Sequence, residues 1–166
     1  MPQITSSFSE RGFERAAFLF GKIAPEIVRA EPPEAELAKL FGNAWRYIEF
    51  ATANQFYMIA ESYGLDFYRI FHALTHNYGR ADGYPTPGFA AGPCLFKDTM
   101  QLSAFHSNSF FLGHAAMLVN EGLPDFLVRR LKSRVSLRRR AVGVLGMAFK
   151  GDSDDGRESL SFKLRK

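Results

Sequence analysis

Apolar residues recur along most of this chain at helical spacing, and the strand-like exceptions lie towards its two ends. The longest pattern begins at Glu34. Leu37, Leu40, Phe41, Ala44, Ile48, Ala51, Met58 and Ile59 follow at helical intervals, with no proline and only Gly42 as a glycine before Tyr63. Gly64 supplies the stop. A helix of about 30 residues would be about 45 Å long, which suits a spine or an interface element. Shorter helices are predicted over residues 7–22, from Asp66 to about Asn77, from near Cys94 to about Phe105, and from about Phe110 to Arg134. In the last of these, Gly122-Leu123-Pro124 is a point where the helix could break.

Short strands are predicted at Ile4-Thr5 and at Glu26-Ile27-Val28-Arg29, before the Pro32-Pro33 punctuation. Residues 79–93 hold Gly79, Gly83, Pro85, Pro87, Gly88, Gly92 and Pro93, so they form a long loop, a usual address for function. Ala141-Val142-Gly143-Val144-Leu145-Gly146 has the pattern of a buried strand. A polar loop follows from Gly151 to Gly156, and a helix is expected from Arg157 to Lys166. A lone strand and half a helix cannot close a sheet, so this end reads as the opening of a second domain cut short.

Length and composition narrow the picture. The chain has 166 residues, enough for one full domain but not two. Its 46% hydrophobic content is that of a soluble globular protein. A single cysteine excludes an internal disulfide and suits a reducing compartment. Met1 to Ser9 has neither the basic nor the apolar region of a secretory signal, and the apolar run from Phe110 to Val119 is too short to span a bilayer. A cytoplasmic location without membrane contact is the expectation. The net charge of +4 is uneven: Arg129, Arg130, Lys132, Arg134, Arg138, Arg139 and Arg140 crowd together. This is a nucleic-acid patch or a solvated helix end. The second reading is preferred, because no interleaved aromatics or known motif accompany the run.

Three constellations carry candidate chemistry. Lys39 and Asn43 are four apart on the long helix, with Asn54 near the same stripe. An ammonium beside an amide can hold a developing oxyanion, although such pairs are also common on solvated helix faces. Cys94 follows the Gly/Pro loop at a helix start, where a thiolate is favoured, and Asp98 is one turn on, in reach of a water. The competing reading is a buried inert thiol. Gly146-Met147-Ala148-Phe149-Lys150 with Asp154-Asp155-Gly156-Arg157-Glu158-Ser159 could bind phosphate, but no Gly-x-Gly-x-x-Gly accompanies it. His72 and His76 have metal-ligand spacing without a third ligand, so no metal is expected. His106 and His114 read as packing or surface residues.

Together these segments resemble the UDP-glucose/GDP-mannose dehydrogenase family. Ala35-Glu36-Leu37-Ala38-Lys39-Leu40-Phe41-Gly42-Asn43-Ala44 is similar to its central-helix motif, and Pro87 to Asp98 to its catalytic-cysteine loop. Val142 to Ser159 is similar to the opening of its C-terminal domain. The loop departs from the pattern at Ala90-Ala91 and Pro93, where members carry further glycines and a serine.

The resemblance implies a mainly α fold: a central helical dimerisation domain with a long spine helix, flanked by truncated α/β, Rossmann-like pieces. Residues 1–32 would be the end of an NAD-binding domain, 33–137 the catalytic and dimerisation domain, and 138–166 the start of a sugar-nucleotide-binding domain. It implies oxidation of the C6 alcohol of a nucleotide sugar to the carboxylate with two NAD, through a thiohemiacetal and a thioester on Cys94. Lys39 and Asn43 would hold the C6 oxygen, and Asp98 would activate water. Arg80, Phe89, Gly92, Phe149 and Lys150 would bind substrate, Arg80 from across a homodimer. Arg157 and Lys97 would lie near NAD, whose main binding domain is expected to be absent here, leaving the chain inactive alone. The alternatives are a non-catalytic helical dimerisation module and a basic nucleic-acid-binding protein.

Overall fold

In the computed structural model, which describes residues 1–90 and 92–165, the chain forms two compact units, Met1–Gly42 and Asn43–Lys166. Ala91 of the loop and Lys166 of the predicted last helix lie outside the described residues.

The first unit is a strand, a helix and a strand. Ser9 starts helix α1 (Glu10–Phe20), its hydroxyl accepting the Gly12 N–H at 3.1 Å. Strands β1 (Gln3–Thr5) and β2 (Ile27–Arg29) pair in parallel, with Gln3 opposite Ile27 and Thr5 opposite Arg29. Parallel neighbours need a crossover, and α1 provides it. Arg29 ties β2 to α1 through two bonds to the Glu10 carboxylate, at 2.9 and 2.6 Å, with its guanidinium 4.3 Å from the centre of the Phe13 ring.

Helix α2 (Pro32–Ser62) has 31 residues, the first of them up to Gly42 in this unit and the rest in the second. It begins two residues before the predicted Glu34. Proline is tolerated in a first turn, where its missing N–H costs no bond. The Glu34 carboxylate accepts the Glu31 N–H at 2.9 Å, half of a capping box.

In the second unit α2 buries Ala44, Tyr47, Ala51, Ala53, Asn54 and Ala60. Helix α3 (Phe67–Thr75) follows, capped by the Asp66 carboxylate, then a single 3₁₀ turn (Gly79–Ala81). Helices α4 (Leu95–Phe105), α5 (Phe111–Arg134) and α6 (Ser161–Arg165) complete it. The core joins Tyr47 and Ala51 to Ala90 and Ala116, with Ile48, Leu95, Phe96 and Met117 packed against them. A Cβ on Gly113 of α5 would stand 3.0 Å from the Thr99 methyl of α4, so these helices meet at close range. Helix α5 does not break at Pro124. Leu123 and Pro124 are both buried, and their packing offsets an interior proline's cost of about 3 kcal/mol.

Two expectations are corrected. Ala141–Gly146 forms no strand: Leu145 is 99% exposed, and the one sheet among the described residues is β1–β2. A strand exists through its neighbour's hydrogen bonds, and no described residue supplies them here. Asn54 is not on a solvated stripe but fully buried. The small residues Ala44 and Ala51 are likewise buried within this one chain; Ala51 packs with Ala116 of α5. The basic stretch begins as a paired helix end, since Arg130 and Arg134 reach Glu61 at 3.0 and 2.8 Å. No described helix is long and apolar enough to cross a membrane.

Candidate active site

Cys94 stands at the N-cap of α4 and is exposed. The buried-thiol alternative is thereby removed. The irregular Gly/Pro stretch before it hands the chain to the helix, and the Asp98 N–H closes the first turn on the Cys94 carbonyl at 2.9 Å. Asp98 is buried, one turn further in, and its Oδ2 accepts a bond from Asn43 Nδ2 at 2.6 Å. Lys97 Nζ is 3.5 Å from its other oxygen, with most of the Lys97 side chain in solvent. The predicted pairs on α2 and α4 therefore meet through their polar members: Asn43 touches Asp98. Lys39 lies on α2 in the first unit.

The loop is held from two sides. Gly88 offers its N–H and its C=O to the Asn54 amide, at 2.8 and 2.9 Å. The Gly92 N–H donates to the Glu158 carbonyl at 3.4 Å. Gly92 has φ +106°, and a Cβ there would come 2.8 Å from the Phe149 ring, so this position is restricted twice to glycine. Phe149 thus packs against the cysteine loop.

Segment 149–158 folds around a charge pair. The Phe149 N–H donates to the Asp155 carbonyl at 3.1 Å. The Asp155 carboxylate takes Arg157 Nε at 2.9 Å and Nη2 at 2.7 Å. The hydrogen bonds from Arg157 hold the Asp155 carboxyl down at about 2. Arg157 is shifted up in turn, first by its bond to Asp155.

Other predicted residues are more dispersed. Lys150 is exposed, 5.6 Å from the centre of its neighbour Phe149. Phe89 lines a cavity of about 300 Å³ with Tyr57, Tyr68, Leu123 and Leu127, on the side of the loop facing α3 and α5. Arg80 is exposed on the 3₁₀ turn. His72 and His76 stack with ring centres 4.9 Å apart, and the described residues hold no cluster of three metal-binding side chains. Asn120 was not singled out by sequence, and Asn54, Asp155 and Glu158 were named only within their candidate stretches, without the partners the fold gives them. The one local signal was Asn54 itself, a polar residue beside Ala51 and Ala53.

The sequence matches the profile of the UDP-glucose/GDP-mannose dehydrogenase family, central domain, over residues 33–121. It is 32% identical to a UDP-N-acetyl-D-mannosamine dehydrogenase of Pyrococcus horikoshii, covering 91% of this chain and 38% of that protein. It is 28% identical to a UDP-glucose 6-dehydrogenase of Haloferax volcanii, covering 94% of this chain and 38% of that protein. A solved structure of the UDP-D-ManNAc dehydrogenase from Pyrococcus horikoshii superposes with a TM-score of 0.83 at 31% identity, over 98% of this chain and 40% of that one. The chain thus spans well under half the length of these relatives.

Proposed function

The chain belongs to the UDP-glucose/GDP-mannose dehydrogenase family, and from that premise we propose that it supplies the catalytic core for NAD-dependent oxidation of a nucleotide sugar's C6 alcohol to the carboxylate. The observation that carries this reading is the setting of Cys94: an exposed thiol at a helix start, one turn from a buried carboxylate that Asn43 holds at 2.6 Å.

NAD, when bound, takes a hydride from C6 in each of two oxidations. Between them the Cys94 thiolate adds to the C6 aldehyde, forming a C–S bond and moving an electron pair onto O6. Lys39 and Asn43 stabilise that oxyanion. Asn43 has two amide protons; one serves Asp98, and the other can serve O6. The second oxidation leaves a thioester on Sγ. Asp98 then takes a proton from water, whose oxygen displaces Sγ and frees the acid. Gly92, Phe149 and Lys150 would line the nucleotide-sugar site, with Phe89 supporting the loop and Arg80 reaching the site of a second copy. Lys97 and Arg157 would lie near NAD as exposed cations, with side chains 67% and 75% accessible. They form part of that site only. With no Gly-x-Gly-x-x-Gly in its sequence, a polypeptide of these 166 residues is expected to bind no NAD in calorimetry.

The domain assignment of 1–32, 33–137 and 138–166 belongs to the same proposal. So does pairing of two copies through α2, whose Trp45, Phe56 and Ile59 remain exposed. That exposure also favours the second reading, a helical pairing module without catalysis. The test uses protein made from the complete reading frame. Cys94→Ala is expected to lower NADH formation on the order of 1,000-fold or more. Cys94→Ser should stall at the ester, which hydrolyses more slowly than a thioester. Parental turnover in Cys94→Ala, or no turnover of any UDP- or GDP-sugar by the parent, overturns the catalytic reading in favour of the pairing module.

A further inference from the structure

The described residues of 82–93 lead to Cys94 without helix or strand. Irregular backbone carrying a nucleophile needs a partner for its polar groups, or the thiol has no fixed position. Here the partner is a side chain. Asn54 accepts the Gly88 N–H at 2.8 Å and donates to the Gly88 carbonyl at 2.9 Å, pairing both backbone groups of one residue as a neighbouring strand would. Its remaining amide proton goes to Asn120 Oδ1 at 2.9 Å, and Asn120 Nδ2 donates to the Tyr47 carbonyl at 3.0 Å. Asn54 and Asn120 are both fully buried.

Asn54 lies eleven residues after Asn43 on α2, three helical turns along, so both project from one side of the helix. Asn43 holds Asp98, and Asn54 holds Gly88. Gly88 and Asp98, ten positions apart, are therefore each gripped by an amide of a single helix, and Cys94 lies between the grips. We propose that Asn54, backed by Asn120, is a positioning residue for Cys94: its amide sets where the loop delivers the thiol relative to Asp98. A core that needed only volume here would take an apolar residue more cheaply than two amides, whose burial is tolerated because both are hydrogen-bonded.

The proposal rests on the reading of Cys94 as nucleophile, and the experiment separates the two. In protein from the complete reading frame, Asn54→Ala is expected to lower kcat about 100-fold, the effect of a displacement near 1 Å at the reacting atoms. KM for the nucleotide sugar should stay at the parental value, a split that simple loss of folded protein would not give. Thr52→Ala is the control. Thr52 is exposed on α2, two residues from Asn54, and its hydroxyl bonds the Ile48 carbonyl of its own helix at 3.0 Å, so parental kcat is expected. Parental kcat per folded molecule in Asn54→Ala, with Cys94→Ala inactive, overturns the positioning role alone. Parental kcat in Cys94→Ala overturns the nucleophile reading instead. Should Asn54→Ala not fold, amide exchange in the unaltered protein decides. Gly88 N–H protected as strongly as the amides of α2 supports the grip, and exchange at the rate of a free loop overturns it.

Discussion

Two stretches of this chain lack regular structure in their described residues, and they are held in opposite ways. Residues 82–93 are rich in glycine, proline and polar backbone, yet they run into the interior: Ala90 is 2% exposed and Gly88 is bonded on both its backbone groups. Residues 138–148 contain the most strand-like run in the sequence, yet Val142 and Leu145 face solvent. Apolar character alone does not bury a segment. A segment is buried when its N–H and C=O groups find partners, and the loop finds them in a side-chain amide while the strand-like run finds none among the described residues.

The hardest blow to this contrast would fall on the floor under the loop. Tyr47 is fully buried, packs edge-on to Phe96 and gives its carbonyl to Asn120. Tyr47→Ala is expected to cost about 3–5 kcal/mol in urea unfolding. A loss near zero would mean that the loop is not seated on this core.

A smaller effect is expected where the loop meets Phe149, just past the second stretch. Gly92→Ala pushes a methyl into the Phe149 ring at a backbone angle that suits glycine, a cost of about 1–3 kcal/mol. Adding Phe149→Ala should recover the steric part and leave the backbone part, and strict additivity in that double-mutant cycle would deny the contact.

The boundary between ordered helix and exposed tail can be probed at Glu61. Glu61→Gln weakens its bonds to Arg130 and Arg134 and should cost about 1 kcal/mol, less in high salt. No salt dependence would show that the pair does not hold the end of α5.

Acid should sharpen the contrast within the tail. Arg157 keeps the Asp155 carboxyl at about 2, below an unfolded value of about 3.9. A lowered carboxylate contributes stability above its unfolded value and loses it as pH falls through the folded one. The Asp155–Arg157 turn should therefore persist to about pH 4 and open between there and about pH 2. Carbon-13 titration of the Asp155 carboxyl reads this directly, and Arg157→Gln should return its midpoint to the ordinary range. The smallest change is expected at Leu145→Ser, within about 0.5 kcal/mol by thermal unfolding, because no burial is lost. A larger loss would mean that the run is covered after all.

Helix positions were legible because periodicity is local. Helices α2, α4 and α5 start and stop within a few residues of their predicted ends, and α2 differs only through the tolerance of Pro32 and Pro33 in a first turn. The candidate chemistry was legible for the same reason. Cys94 and Asp98 are one helical turn apart, as are Lys39 and Asn43, and that spacing is fixed by the helix itself.

What only the tertiary structure decided is which distant groups complete the local ones. Asn54 read only as a neighbour of the Lys39/Asn43 stripe, because its partners are 34 and 66 residues away and no periodicity records them. Ala141–Gly146 read as a strand, because β-propensity describes a residue that fits a sheet and carries no information on whether a sheet is there. Arg157 read as a free phosphate ligand, and the fold gave it Asp155 first. The sequence by itself determined the helices and the paired spacing of the candidate groups, since both depend on neighbours a turn away. The tertiary structure decided which polar groups are buried and bonded, since that depends on partners brought together only by folding.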